Sequence, residues 1–168
     1  MLLLKNNSLE DQIAEYAVKY KENFYRLAYS YVKNTDDALD IVQESVYKAI
    51  SSTRTLKNPD YIKTWFYRIV VNTSLDFLRK QRKSVAVGDE VLASFDFGAS
   101  DDYEDFDLQK ALDNLPDKYR TIVILRYFED LKIEEIAEIL NENTNTVKTR
   151  LYKSLEKLRI KLSDYEEV

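Results

Sequence analysis

Apolar residues recur at steps of three and four along most of this 168-residue chain. That is the repeat of helix faces, not the two-residue alternation of strands. Leu9, Ile13, Tyr16, Ala17, Tyr20, Phe24, Leu27, Ala28 and Tyr31 predict a first helix reaching about Val32, capped by Ser8 with acids in its first turn. Asn34-Thr35-Asp36-Asp37 opens a second, whose buried face reads as Leu39, Val42, Val46, Ala49 and Ile50. Ser51–Lys57 breaks the pattern and reads as a loop. Asn58-Pro59 restarts it, a cap residue followed by proline at the first helical position. The third helix then runs Tyr61–Arg82, with Ile62, Trp65, Phe66, Ile69, Val70, Thr73 and Phe77 inward.

The second half repeats this logic on shorter elements. Leu108, Ala111, Leu112 and Leu115 give a short helix ended before Pro116, and Asp117–Asp130 gives another through Tyr119, Ile122, Val123 and Leu125. In Lys132–Leu162, Ile133, Ile136, Ala137 and Leu140 mark one short helix, followed by five polar residues, Asn141 to Asn145, suited to a turn. Val147, Leu151, Leu155, Leu158 and Leu162 mark a longer helix, on which six cations from Lys148 to Lys161 face the single acid Glu156. A short helix, a turn and a basic helix form the pattern of a helix-turn-helix DNA reader. A plain helical hairpin with a solvated basic face fits the same residues.

Composition narrows these choices. Only two Gly and two Pro occur, both glycines within one short interval, which supports an all-α chain. There is no Cys and no His, so disulfides, thiolate metal sites, the common zinc sites and histidine-based triads are excluded. Enzyme activity is disfavoured, with Asp and Glu left as the only acids. No apolar run is long enough to span a membrane, and the cytoplasm is the expected location. The net charge of −5 looks wrong for a nucleic-acid binder until it is located. Residues 84–107 hold eight acids and no cation, reading as a flexible acidic linker, and the remaining residues sum to +3.

A second basic concentration, Lys63, Arg68, Arg79, Lys80, Arg82 and Lys83 against Asp76, is interleaved with Tyr61, Trp65, Phe66, Tyr67 and Phe77. Cations for phosphates and aromatic faces for unstacked bases are what single-stranded nucleic acid requires. Trp65 and Phe66 also fit simple core positions at helical spacing. Arg68 and Asn72 are polar within this apolar helix, an expense that a ligand or buried hydrogen bond would justify. Asp36, Asp37, Asp40 and Glu44 share one side of the second helix, suited to a basic or coiled-coil partner or simply to solvent.

These segments carry a resemblance. Asp37-Ala38-Leu39-Asp40-Ile41-Val42-Gln43-Glu44-Ser45-Val46 resembles the polymerase-binding helix of bacterial sigma factors. Trp65-Phe66-Tyr67-Arg68-Ile69-Val70-Val71-Asn72-Thr73, with Asp76-Phe77-Leu78-Arg79, resembles the helix that melts and reads the minus-ten promoter element. Leu115 to Arg120, Leu125 to Phe128, Glu134 to Leu140 and Thr146 to Leu151 resemble the minus-thirty-five-binding domain. Nearly the whole chain is covered in the correct order. With room only for the second and fourth sigma regions, it is similar to the extracytoplasmic-function group.

The resemblance implies two small helical domains, 1–83 and 108–168, joined by the linker 84–107, the second domain a helix-turn-helix. The first would bind a coiled coil of the polymerase largest subunit through Asp36, Asp37, Asp40, Gln43 and Glu44. Its loop Leu56-Lys57-Asn58, with Asn72 beneath, would hold a flipped minus-ten base. Arg68, Arg79 and Lys80 would lie near the strand backbone, joined by Lys63 from the same basic group. Asn145, Thr146, Lys148, Thr149, Arg150 and Lys153 would meet the minus-thirty-five duplex. The linker would thread towards the RNA exit path. The implied partners are core RNA polymerase, promoter DNA and an anti-sigma factor, often membrane-bound. No catalytic residue, metal, cofactor or small-molecule substrate is expected.

Three positions depart from the family pattern. Asn141-Glu142 replaces the usual Gly and apolar residue. Asn tolerates the left-handed conformation, while Glu142 is expected to loosen the corner. Asn145 stands where a small residue is common, and Leu56 where an aromatic is frequent, which implies a shallower base pocket. Two other functions stay open on the residues alone: a stand-alone helix-turn-helix regulator of duplex DNA, and a helical adaptor that binds only protein.

Overall fold

The structure, a computed structural model, describes residues 8–87 and 103–166, with side chains described over 8–84 and 108–159. The chain divides into two compact units, Met1–Arg79 and Lys80–Val168. Among the described residues the first half comprises α1 (Leu9–Lys19), α2 (Lys21–Val32), α3 (Thr35–Ser51) and α4 (Ile62–Val87). The short 3₁₀ turns Thr53–Thr55 and Pro59–Tyr61 fill the gap before α4. The second half comprises α5 (Tyr103–Asp113), α6 (Asp117–Val123), α7 (Ile133–Leu140) and α8 (Thr144–Glu166).

The expected first helix is in fact two. The break falls at Tyr20, whose φ of −110° and ψ of 16° leave the helical region. The bend sets Ile13 and Ala17 of α1 and Phe24 and Leu27 of α2 all in the core. It also packs the Tyr16 and Tyr20 rings 4.5 Å apart. Phe24 stacks on Phe66 of α4 at 4.4 Å and 7°, with Tyr67 edge-on to Phe24 at 5.2 Å. Buried aromatic contacts of this kind add to their area burial by about 0.5–1.5 kcal/mol per pair.

α3 begins at Asn34, whose side chain accepts the Asp37 N–H at 3.0 Å. Its buried face differs from the expected one. Ala38, Ile41, Ser45 and Ala49 face inward, whereas Leu39 and Ile50 are 48% and 42% exposed. Small side chains at 38, 45 and 49 bring α3 close to its neighbours, with Ala38 and Ile41 packed against Ala28 of α2. Ser45 enters the core because its hydroxyl donates to the Ile41 carbonyl at 2.7 Å, leaving no unmet donor.

In the second unit Ala111, Leu112, Leu115, Val123 and Leu158 form one cluster, with Tyr119 against it. Arg120 is buried at its corner, donating to the Leu115 carbonyl at 3.0 Å and to Asp113 O at 3.3 Å, and pairing with Asp117. The expected helix Asp117–Asp130 ends earlier, at Val123. It widens into a π-helical turn, Ile124–Phe128, closed by the Glu129 N–H on the Ile124 carbonyl five residues back. Asp130 then takes a left-handed φ of 53°. That reversal buries Leu131 completely and delivers the chain to α7.

α8 buries Val147, Leu151, Ser154 and Leu158, while Leu155, expected inward, stands 36% exposed. Leu108, also expected inward, is 37% exposed. The described residues of the acidic segment, 84–87 and 103–107, are helical ends of α4 and α5. Residues 88–102, on which most of the linker expectation falls, lie outside the described residues, as does the side chain of Leu162.

Candidate nucleic-acid interface

Two surfaces in different units gather the residues singled out from the sequence, and a third adjoins the first. In the first unit, Asn58 caps the 3₁₀ turn, its side chain accepting the Asp60 N–H at 3.0 Å. Lys57 and Asn58 are exposed, but Leu56 is buried at 5% exposure. Leu56 therefore anchors the loop from below and does not present its side chain to a base. Trp65 ties the loop to α4, its indole N–H donating to Thr55 Oγ1 at 2.9 Å.

Along α4 the helical repeat aligns Trp65, Arg68, Asn72, Asp76 and Arg79 on one face, with Tyr61 at its head. Arg68 and Asn72 are exposed there, so their polarity carries no burial cost, contrary to the expectation drawn from the apolar run. Arg79 pairs with Asp76 at 3.1 Å. Lys63 lies nearly opposite this face and Lys80 about a quarter of a turn from its centre, so neither joins the row. Of the interleaved aromatics, Phe66 and Tyr67 are core, Trp65 and Phe77 are half-buried, and Tyr61 is 61% exposed. Stacking in this stretch is left to Tyr61 and the edge of Trp65, a narrower platform than the sequence suggested.

On α3 the acids and Gln43 face outward: Asp36, Asp40, Gln43 and Glu44 are exposed and Asp37 is half-exposed. Burial, then repulsion from Asp40 and Asp36, raises the Asp37 carboxyl above its ordinary value near 3.8. Glu44 pairs with Lys48 at 3.3 Å, and Lys48 also donates to Thr73 Oγ1 on α4 at 3.3 Å. Sequence reasoning missed the apolar part of this face. Tyr47, 72% exposed, follows Asp36, Asp40 and Gln43 on one stripe, flanked by Leu39 and Ile50. The signal was present in the run of small residues at 38, 45 and 49, which marks the opposite side as the close-packed one.

In the second unit, α7 ends at Asn141 in the left-handed conformation, φ 53° and ψ 46°. The turn is therefore made by Asn where the family pattern has Gly. Asn143 caps α8, accepting the Asn145 N–H at 2.8 Å. The corner is not loosened by Glu142, whose N–H donates to the Ala137 carbonyl at 2.9 Å and whose Oε1 lies 3.1 Å from Arg150 Nη1. The ion pair replaces the apolar plug.

Asn145, Thr146, Thr149, Arg150 and Lys153 line a shallow open groove of about 360 Å³ together with Lys118 and Tyr119 of α6. Lys148 is exposed but is not in this lining. The α6 contribution was missed. Lys118 Nζ lies 5.1 Å and Lys157 Nζ 5.6 Å from the centre of the Tyr119 ring, a cation–π arrangement that sets two ammonium groups around one ring at the groove margin. Helix N-terminal residues reaching outward, with Lys and Arg beside them, can meet base edges and phosphates of a duplex together. Among the described residues no helix is long and apolar enough to cross a membrane.

Comparison with known proteins agrees with both halves. A family model described as Sigma-70 region 2 matches residues 17–84, and one described as Sigma-70, region 4 matches residues 105–158. The RNA polymerase sigma factor SigV of Bacillus subtilis is 61% identical over 144 residues, covering 86% of this chain and 87% of that protein. The ECF RNA polymerase sigma factor SigW of the same organism is 32% identical, covering 92% of this chain and 91% of its own length. The sigma factor RpoE of Bartonella quintana, solved with the anti-sigma factor NepR, shares the fold. Its TM-score is 0.73 at 23% identity, over 89% of this chain and 97% of that one. Two sigma-specific regions in order, on a chain matched along most of its length, leave one reading: this protein belongs to the ECF group of the sigma-70 family of RNA polymerase sigma factors.

Proposed function

We propose that this sigma factor confers promoter specificity on RNA polymerase through three surfaces, each with its own chemistry. The outer face of α3, Asp36, Asp37, Asp40, Gln43 and Glu44, docks the polymerase by charge complementarity. The loop Lys57-Asn58, seated on Leu56, and the α4 row of Arg68, Asn72 and Arg79 hold the opened minus-ten strand, with Lys63 and Lys80 as more distant phosphate partners. The α8 groove, Asn145, Thr146, Thr149, Arg150 and Lys153, with Lys148 beside it, reads the minus-thirty-five duplex. Domain limits of 1–83 and 108–168, with 84–107 between them, accompany this reading.

The observation that carries it is the exposed row of Arg68, Asn72 and Arg79 on α4, headed by Tyr61, coexisting with the basic groove on α8. A regulator that binds only duplex has use for the second alone. The polymerase performs the catalysis, and we assign this chain no chemical step. Work on polymerase places it in the cytoplasm, with an anti-sigma protein as its antagonist. The test is reconstitution: the purified chain with core polymerase initiates from a subset of a promoter library that core polymerase alone ignores. Absence of selective initiation across the library overturns the proposal.

A further inference from the structure

Glu142 is fixed by its backbone at the corner between α7 and α8 and is aimed by its neighbours. Its N–H is held on the Ala137 carbonyl at 2.9 Å behind the left-handed Asn141. From there its carboxylate spans eight residues to Nη1 of Arg150 at 3.1 Å. Arg150, half-buried, lines the groove with Asn145, Thr146, Thr149 and Lys153. The arginine best placed to read a base is thus already met by a carboxylate from its own turn.

The consequence lies in the shape of the two groups. Guanidinium is a planar fork with donors on more than one edge. A carboxylate on one terminal nitrogen leaves another edge to meet the O6 and N7 acceptors of a guanine. A DNA phosphate is different, because drawing Arg150 onto it would break the pair and bring the Glu142 carboxylate towards a second anion. The pair therefore opposes capture of Arg150 by the sugar-phosphate backbone while permitting contact with a base edge. We propose that Glu142 is a positioning residue that sets the base specificity of the α8 groove by holding Arg150 off the phosphates. This rests on the assignment of the groove to duplex DNA.

The experiment uses the full chain as wild type, Glu142→Ala, Glu142→Gln, Arg150→Ala and the double variant Glu142→Ala/Arg150→Ala. Two quantities are measured. One is the base preference of the reconstituted holoenzyme on promoters with a randomised upstream element. The other is the salt dependence of binding to random-sequence duplex. Glu142→Ala is expected to flatten the preference at one or two positions and to bind random duplex several-fold more tightly. Its log–log salt slope should steepen by about 0.9, the value for one added phosphate contact. Glu142→Gln, which keeps an accepting oxygen without the charge, should retain most of the preference while gaining part of the affinity. Because Glu142 acts through Arg150, the double variant should match Arg150→Ala alone.

Wild-type preference and slope in Glu142→Ala overturn the proposal, as they do in Glu142→Gln should the alanine variant not fold. An effect of Glu142→Ala that persists undiminished without Arg150 also overturns it, since the carboxylate would then act only on the terminus of α8. A wild-type holoenzyme with no base preference anywhere in the library would instead defeat the promoter-reading function itself.

Discussion

A β-carbon costs about 1–2 kcal/mol in the left-handed region, and Asn is among the few side chains that visit it routinely. Asn141 occupies that region at the end of α7. Asn141→Ala should therefore lower stability by about 1 kcal/mol in urea unfolding, while Asn141→Gly should be close to neutral. That position was legible in the sequence, because a polar turn residue stands where a short apolar helix must stop. The Glu142–Arg150 pair was not legible, since a contact across eight residues exists only once the turn geometry is known. Asp37 yields a prediction of opposite sign to most surface carboxylates. Its raised pKa means the folded chain binds that proton more readily than the unfolded one. Its ionised form thus detracts from stability at neutral pH. Asp37→Asn should stabilise the protein at pH 7, and the gain should shrink as pH falls through the raised value towards 3.8. Denaturant melts across that range check it. A cationic partner docked on α3 would reverse the shift, so affinity for it should rise with pH through the same window.

At the scale of single helices, periodicity gave the helical character of each stretch but missed the break at Tyr20 and the early end of α6, and it gave the rotational setting less well. α3 was legible as a helix from its cap and acids, but its apolar residues occupy two overlapping stripes. Periodicity points to Leu39, Val42, Val46, Ala49 and Ile50, whereas packing buries Ala38, Ile41, Ser45 and Ala49, so the two stripes share only Ala49. The outward Tyr47 is a product of that setting. Tyr47→Ala should change stability by no more than about 0.5 kcal/mol, as befits an exposed side chain, yet weaken association with core polymerase measured by competition between sigma factors. Equal association of variant and wild type would confine the docking face to its carboxylates. The early end of α6 was illegible for a related reason. Ile124 and Leu125 continue the apolar spacing of a helix, and nothing in the residues announces that the backbone widens beneath them.

Taken whole, the molecule concentrates its charge instead of spreading it. Residues 1–83 carry 14 Lys and Arg against 10 Asp and Glu, and residues 108–168 carry 11 against 12. The second half is thus slightly negative overall, and under the proposed function its attraction to DNA would come from the groove side of α8 and the Lys118 margin. Such a surface gives little long-range steering, so the free chain should bind duplex weakly and gain most of its grip within the holoenzyme. Lys153→Ala should reduce the salt slope of duplex binding by about 1 if it neutralises one phosphate, read by anisotropy over a salt series. The order of the two regions was legible in the sequence from their motifs, and the acidic interval between them from charge segregation, which survives without coordinates. The wide turn Ile124–Phe128 has a last consequence, one of angular phase. Each residue of a helix advances its direction by about 100°, and the turn accommodates its fifth-residue closure by absorbing part of one such step. It works as a fixed offset between α6 and α7, keyed by Leu131 in its socket and by Arg126 Nη1 on the Leu131 carbonyl at 3.2 Å. Removing a single residue there would restore an ordinary helix and leave every downstream atom intact, yet turn the reading head away from its script.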